Sequence, residues 1–114
     1  MLIVDDDREI RELLGELLTE EGFAVEASWN GKTALARLEE GLRPDVIVLD
    51  IMMPAMDGLA FRAAQKKHSA IADIPVIGLT AFPALAADFE CLTKPVKLQV
   101  LIDAIRSAAR RPRD

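Results

Sequence analysis

Residues 45–58 read DVIVLDIMMPAMDG, an apolar run that ends on a single aspartate, Asp50, and is followed by a turn-rich stretch. A similar run near the N-terminus, residues 2–4, ends in the acidic triplet Asp5-Asp6-Asp7. Short continuous apolar runs of this kind are typical of buried strands in a parallel sheet. Each of these two predicted strands therefore places at least one carboxylate group at its C-terminal end.

Two further strand-like segments also end in polar side chains. Residues 76–79 are followed by Thr80, and residues 91–93 by Lys94 and Pro95. Open α/β sheets place their chemistry beyond the carboxyl ends of their strands. We therefore expect the acid cluster, Asp50, the Thr80 hydroxyl and the Lys94 ammonium group to converge on one edge of a sheet.

The segments between these strands have helical periodicity. In the first, apolar residues recur at i, i+3, i+4, i+7 and i+8, between Asp7 as a predicted N-cap and Gly22 as a stop signal. The predicted elements that follow are a strand over 23–27, a helix over 31–40, a helix from 58 to about 67, and a last helix from about 97 to 109. The apolar stripes of the first and last helices are Ile10, Leu13, Leu14, Leu17 and Leu18, and Leu98, Leu101, Ile102, Ile105 and Ala109.

Strands that alternate with helices predict an α/β fold, with a parallel sheet covered on both faces. One connection is short. Ten residues, 81–90, separate the fourth and fifth predicted strands, which is the lower limit for a crossover and leaves room for one or two helical turns. We therefore expect a short or missing fourth helix.

Composition restricts the classes of function. The 114 residues suffice for one domain, and no apolar run approaches the roughly 20 residues that span a bilayer. One cysteine and one histidine exclude an internal disulfide and a Cys/His zinc set. The net charge of −5 disfavours direct nucleic-acid binding. With no signal-peptide pattern, we expect a cytoplasmic protein without membrane or nucleic-acid contacts.

Four segments together resemble the receiver domain of two-component response regulators, the CheY-like superfamily. They are residues 2–7 (LIVDDD), 45–58 (DVIVLDIMMPAMDG), 74–81 (IPVIGLTA) and 92–95 (LTKP), and the resemblance covers essentially the whole chain in order. It implies a flavodoxin-like doubly wound sheet of five parallel strands, in the order 2-1-3-4-5, and one receiver domain over 1–114 with a tail at 110–114.

The resemblance also implies a phosphorelay function in which Asp50 accepts a phosphoryl group from a phosphohistidine. A carboxylate accepts that group only if charge repulsion is neutralised, which suits Mg²⁺ with its preference for oxygen ligands. The implied metal ligands are Asp5, Asp6, Asp50 and the backbone carbonyl of Met52. Thr80 and Lys94 are expected to contact the phosphoryl oxygens, and Pro95 to follow a cis peptide bond.

Such a domain catalyses its own phosphorylation and dephosphorylation and is not expected to be a turnover enzyme. The implied partners are a histidine kinase or histidine phosphotransfer protein and a downstream effector. Two alternatives stay open: a degenerate receiver that binds proteins without phosphorylation, and a small aspartyl-phosphate phosphatase. The phosphatase class usually carries a second aspartate two residues after the nucleophile, where this chain has Met52.

The chain departs from the family pattern in two respects, at one position and in the length of one segment. The family usually has an aromatic residue three positions before the lysine, and here that residue is Cys91. Phe89 and Phe82 are the nearby candidates for its role in signalling. The short segment 81–90 is the second departure, because the helix of this crossover belongs to the surface that family members often use for dimerisation and output.

Overall fold

The structure, a computed structural model, describes residues 1–51, 58–81 and 89–110. Met52 and Phe82, to which the sequence assigns roles, lie outside these ranges. The nine elements of the described ranges are β1 (Leu2–Val4), α1 (Arg8–Glu20), β2 (Glu26–Ser28), α2 (Gly31–Glu39), β3 (Ile47–Asp50), α3 (Gly58–Lys66), β4 (Val76–Thr80), β5 (Glu90–Thr93) and α4 (Leu98–Arg110).

The five strands form one parallel sheet in the order β2-β1-β3-β4-β5. The predicted fold class and strand order are confirmed. Because β1 and β3 are neighbours and Val4 pairs with Leu49, Asp5 and Asp50 follow this pair on adjacent strands. The order of the sheet thus brings the two acidic strand ends together.

Apolar side chains fill both faces of the sheet. One core cluster joins Leu2 and Val4 to Leu38 of α2 and Phe61 of α3. The other joins Ile3, which points to the opposite face, to residues of α1 and α4 including Leu18, Leu101, Ile102 and Ile105. Alternation along β1 therefore supplies both layers of the core, as expected for a strand in the middle of a covered parallel sheet.

Three details differ from the sequence predictions. β2 begins at Glu26, not at Phe23, because the Phe23 amide donates to the carbonyl of Leu18 and so completes the C-terminal turn of α1. In α4, Ala108 is buried and Ala109 is exposed, so the buried stripe takes a step of three residues after Ile105. Arg110, which was assigned to the tail, is the last residue of α4, and residues 111–114 lie beyond the described ranges.

The apolar stripe of α1 is only partly covered. Leu18 is buried, whereas Ile10 and Leu13 are 40% and 55% exposed. A helix of 13 residues is about 20 Å long, while a strand of three residues, such as β1, spans about 10 Å. The C-terminal half of α1 therefore covers the sheet, and the N-terminal half extends past it.

The connection between β4 and β5 comprises residues 81–89. Residues 82–88 lie outside the described structure, and nine residues leave room for a short helix at most. Within the ranges that the structure describes, no helix has both the length and the apolar character needed to cross a membrane.

Candidate functional site

Three carboxylates meet at the carboxyl edge of β1 and β3. Asp5 and Asp6 follow β1 directly, and Asp50 is the last residue of β3. One oxygen atom from each lies within 4.8 Å of the other two. Asp5 and Asp50 are buried, whereas Asp6 is exposed. The predicted convergence of acidic side chains is therefore present, with one carboxylate open to solvent.

Only one of the two carboxylate oxygens of Asp5 has a hydrogen-bond partner among the described residues. Its amide donates to the carbonyl of Ser28 at 3.2 Å, and its Oδ1 accepts a hydrogen bond from the amide of Asp7 at 2.9 Å. Its Oδ2 is buried and has no hydrogen-bond partner among the described residues. Burial, and then the negative charges of Asp50 and Asp6, raise the pKa of Asp5 against the opposing effects of the Asp7 amide and Lys94.

Asp7, the third acid of the triplet, caps a helix and does not join the carboxylate cluster. The Oδ1 of Asp7 accepts hydrogen bonds from the amides of Glu9 and Ile10 at 3.0 and 3.2 Å, which caps α1 as the sequence predicts. Asp7 is not in the three-carboxylate group. The triplet is thus divided between a site on Asp5 and Asp6 and a helix cap on Asp7.

Lys94 lies across the same edge. Its Nζ is 3.2 Å from Oδ1 of Asp50, and its side chain is one-third exposed while that of Asp50 is almost fully buried. The amide of Lys94 donates to the carbonyl of Thr80 at 2.7 Å, so the ends of β4 and β5 are tied together beside the acids. The peptide bond between Lys94 and Pro95 is cis, as the family resemblance implies. Thr80 itself is buried at the last position of β4.

One contact of this site was not predicted from the sequence. The Nη1 of Arg11 donates to the backbone carbonyl of Asp5 at 2.8 Å. Arg11 stands four residues after the N-cap Asp7, and its amide donates to the carbonyl of Asp7 at 2.9 Å. The sequence offers a long cationic side chain one turn into the helix, but its contact with the Asp5 carbonyl depends on how the helix is placed on the sheet.

The donor set suits a hard cation. It consists of carboxylate oxygens, one of them exposed and one buried without a hydrogen bond, and Mg²⁺ prefers such oxygen ligands together with several waters. The fourth predicted ligand, the carbonyl of Met52, falls in the range 52–57 that the structure does not describe. The residues on either side of that range are joined, because the amide of Gly58 donates to the carbonyl of Ile51 at 2.8 Å.

The sequence profile of the response regulator receiver domain matches residues 1–106. The chain belongs to this family. Among its relatives is the response regulator MprA of Mycolicibacterium vanbaalenii, which is 36% identical over an alignment covering 97% of this chain and 50% of MprA. This receiver chain thus spans about half the length of that relative.

Solved receiver structures agree with the fold. The signal receiver domain of a signal transduction histidine kinase from Syntrophus aciditrophicus is 34% identical, with a TM-score of 0.84 over 97% of this chain and 92% of that one. The response regulator protein TrrA of Thermotoga maritima, solved in complex with Mg²⁺-BeF, is 33% identical, with a TM-score of 0.82 over 94% and 96% of the two chains.

Gly78 of β4 pairs with Cys91 of the edge strand β5, and side chains pack closely around it. A Cβ atom at Gly78 would lie 2.8 Å from the ring of Phe89 and 3.0 Å from Sγ of Cys91. Glycine at this position therefore makes room for both side chains, and the half-buried Phe89 packs against the first core cluster. Burial, followed by the charge of Glu90, raises the pKa of the Cys91 thiol.

Proposed function

We propose that residues 1–114 form a receiver domain in which Asp50 accepts a phosphoryl group from a phosphohistidine and later loses it to water. The observation that carries this proposal is the combination of three carboxylates within 4.8 Å with a lysine 3.2 Å from one of them. Acceptance of a phosphoryl group by a carboxylate needs positive charge at the site. The Lys94 ammonium supplies one positive charge, and the acid cluster would supply more by holding a divalent cation.

Asp6 and Asp50 are the proposed direct ligands of Mg²⁺, Asp5 is a ligand through water, and the carbonyl of Met52 completes the protein's share. When bound, the cation would neutralise the charge of the acids and of the incoming phosphoryl oxygens. The buried Oδ2 of Asp5, which makes no hydrogen bond to the rest of the described structure, supports this assignment. Asp5, whose pKa is raised first by burial and then by the charges of Asp50 and Asp6, belongs to a cluster of negative charge that favours a cation nearby.

In the proposed reaction, a carboxylate oxygen of Asp50 attacks phosphorus. An oxygen–phosphorus bond forms, the phosphorus–nitrogen bond to the donor imidazole breaks, and the imidazole leaves with the bonding electron pair and takes up a proton. Hydrolysis of the acyl phosphate returns the Asp50 carboxylate and releases inorganic phosphate. The chemistry at Asp50 is therefore a covalent phosphoryl transfer that the domain completes with its own side chains.

Lys94 and Thr80 are the proposed contacts of the transferred group. The Lys94 ammonium pairs with Asp50 before transfer and is placed to pair with a phosphoryl oxygen afterwards. The Thr80 hydroxyl is proposed to donate to another phosphoryl oxygen. The hydrogen bond from the Lys94 amide to the Thr80 carbonyl couples the backbones that carry these two groups.

The proposed phosphodonor is a histidine kinase or a histidine phosphotransfer protein, and the proposed readout is a downstream effector in the cytoplasm. We propose no direct nucleic-acid contact for these 114 residues, since their net charge of −5 opposes it. MprA continues beyond the aligned half, so no output activity is proposed for these 114 residues.

Intact-mass analysis after incubation with phosphoramidate and Mg²⁺ tests the proposal, because phosphoramidate offers the same phosphorus–nitrogen bond as phosphohistidine. We expect wild type to gain one phosphoryl group, and the gain to disappear on chelation. Asp50→Asn keeps the size of the side chain and should gain none. Equal labelling of Asp50→Asn would overturn the assignment, and no labelling of folded, Mg²⁺-saturated wild type would favour the degenerate, phosphorylation-independent alternative.

A further inference from the structure

Asp6 is the exposed member of the acid cluster, and no hydrogen bond or ion pair of its side chain is found in the described part of the chain. Its position therefore depends on the backbone of the loop that joins β1 to α1. That loop is only residues 5–7. Whatever fixes the carbonyls on either side of Asp6 also fixes where its carboxylate can lie.

Arg11 holds both of those carbonyls. Its guanidinium Nη1 donates to the carbonyl of Asp5 at 2.8 Å, and its amide donates to the carbonyl of Asp7 at 2.9 Å. The side-chain contact is partly buried, and hydrogen bonds from a charged donor are stronger than neutral ones. Asp6 is thus bracketed by two bonds from a single residue on the rigid first turn of α1.

We infer that Arg11 is a positioning residue for the acid cluster: by clamping the Asp5 carbonyl to α1, it preorganises Asp6 for a divalent cation. This inference rests on the proposed function for the identity of the cation, Mg²⁺. Removal of residues that hydrogen-bond to metal ligands and orient them typically changes metal affinity by roughly 10- to 100-fold.

The opposite effect is expected if Arg11 acts only through its charge. A positive charge near the cluster repels a divalent cation, so its removal would then tighten binding. The geometry argues against that role, because the guanidinium meets a backbone carbonyl rather than a carboxylate. The two roles therefore predict Mg²⁺ affinities that change in opposite directions.

Calorimetric titration of Mg²⁺ into Arg11→Gln tests the inference. We expect the affinity to fall by roughly tenfold and Arg11→Lys, which keeps a charged donor, to recover most of it. The matched control is Arg8→Gln, which removes the same charge from an arginine of the same helix. The Arg8 side chain is 80% exposed and bonds to Glu12, so its affinity should stay within about twofold of wild type.

Amide hydrogen exchange of the metal-free protein gives a second readout that does not depend on the cation. We expect faster exchange at Asp6 and Asp7 in Arg11→Gln, with the core strands unchanged. An unchanged or tighter Mg²⁺ affinity in Arg11→Gln, or exchange unchanged at both residues, would overturn the inference. If Arg11→Gln does not fold, Arg11→Met, which removes both the donor and the charge, decides by the same two measurements. Weaker Mg²⁺ binding with faster exchange at Asp6 and Asp7 would support the clamp, and unchanged or tighter binding, or unchanged exchange, would refute it.

Asp6→Ala, titrated in parallel, separates this inference from the proposed function. A weakened Asp6→Ala beside an unaffected Arg11→Gln sinks only the role of Arg11. An unaffected Asp6→Ala would show that the proposed metal site is wrong, and the exchange measurement would still decide whether Arg11 orders the loop.

Discussion

The carboxyl edge of the sheet has two halves, one formed by β1 and β3 and the other by β4 and β5, and the burial of their strands differs. β1 and β3 lie inside the sheet, all of their residues are buried, and they end in the acid cluster. β5 is an edge strand with exposed and half-buried residues, beside the fully buried β4, and it carries Cys91, the position at which the sequence predicts a departure from the family pattern. The acid cluster thus follows two buried interior strands, while the other half of this edge ends in the exposed strand β5.

We therefore expect a division of roles, in which the acid-cluster half holds the cation and the proposed acceptor Asp50, and the β4–β5 half supplies Thr80 and Lys94 and responds to the transferred group. The acid-cluster half holds the three carboxylates, and Asp50 is paired with Lys94 from the other half. The β4–β5 half has a connection of nine residues and a glycine, Gly78, that accommodates Phe89 and Cys91. Perturbations of the two halves should therefore have separable effects.

The largest expected effect is on metal binding by the acid triplet. Asp6→Ala should weaken Mg²⁺ binding by more than roughly tenfold, because a direct ligand is lost and even indirect partners have effects of that size. Asp7→Ala is the matched control, since Asp7 caps α1 and lies outside the cluster. It should leave the affinity nearly unchanged while lowering the free energy of unfolding by about 1 kcal/mol.

Calorimetric titration combined with chemical denaturation separates these two outcomes. The reverse order, with Asp7→Ala the weaker binder, would mean that the acidic pair has been misplaced by one residue and that the division between site and cap is wrong.

Lys94→Ala should affect the link between the two halves. In the metal-free protein it leaves the buried Asp50 without its 3.2 Å ion pair, so we expect a loss of about 1 to 2 kcal/mol in the free energy of unfolding. Mg²⁺ affinity should be unchanged or tighter by roughly a few-fold, because the substitution removes the Lys94 ammonium, whose positive charge repels the cation. Denaturation with and without Mg²⁺ tests both, and a strongly reduced affinity would contradict the placement of Lys94.

Asp5 should make stability depend on pH in a defined direction. Since its folded-state pKa is raised above the ordinary value of 3.8, the folded protein binds the proton more tightly than the unfolded chain does. Its contribution to stability therefore falls as pH rises from that value through the raised pKa, and the loss is complete above it. Asp5→Asn, which removes the charge, should be more stable than wild type at neutral pH in the absence of metal.

The stability difference between Asp5→Asn and wild type should vanish below the ordinary pKa, and saturating Mg²⁺ should reduce it at neutral pH. Thermal denaturation across pH with a chelator present would measure it. A variant that is less stable than wild type at neutral pH would show that Asp5 is not held against the repulsion of Asp50 and Asp6.

The smallest expected effect lies on the edge. A phosphoryl mimic at Asp50 should change amide protection across 81–90, as Thr80 moves toward the phosphoryl group and Phe89 changes its burial. Hydrogen exchange with and without the mimic measures this, with β1 as the internal control. Unchanged protection across 81–90 would leave the β4–β5 half without a part in the switch.

Much of the fold was predictable because few solutions satisfy alternating strands and helices with short connections. The apolar runs at 2–4 and 47–49, the cap at Asp7 and the glycine stop after α1 each report a local requirement of the backbone. The acid cluster was predictable for a related reason, since the polar residues that end neighbouring parallel strands share one edge.

The rest depends on contacts that no local pattern encodes. The exposure of Ile10 and Leu13 follows from the shortness of β1 relative to α1, and the late start of β2 follows from the hydrogen bond between the Phe23 amide and the Leu18 carbonyl. The clamp from Arg11 to Asp5 needs the helix to be placed before it can be seen. Gly78 reads as an ordinary strand residue until the side chains above it are known.

A single carboxylate, that of Asp50, is proposed to receive the phosphoryl group. Borohydride converts an aspartyl phosphate to homoserine, so reduction of the phosphorylated protein followed by peptide sequencing in a mass spectrometer locates the acceptor directly. We expect homoserine at position 50 alone, formed only when both Mg²⁺ and phosphodonor were present. Homoserine at position 5 or 6, or phosphate retained after reduction on the single histidine of the chain, His68, would contradict it.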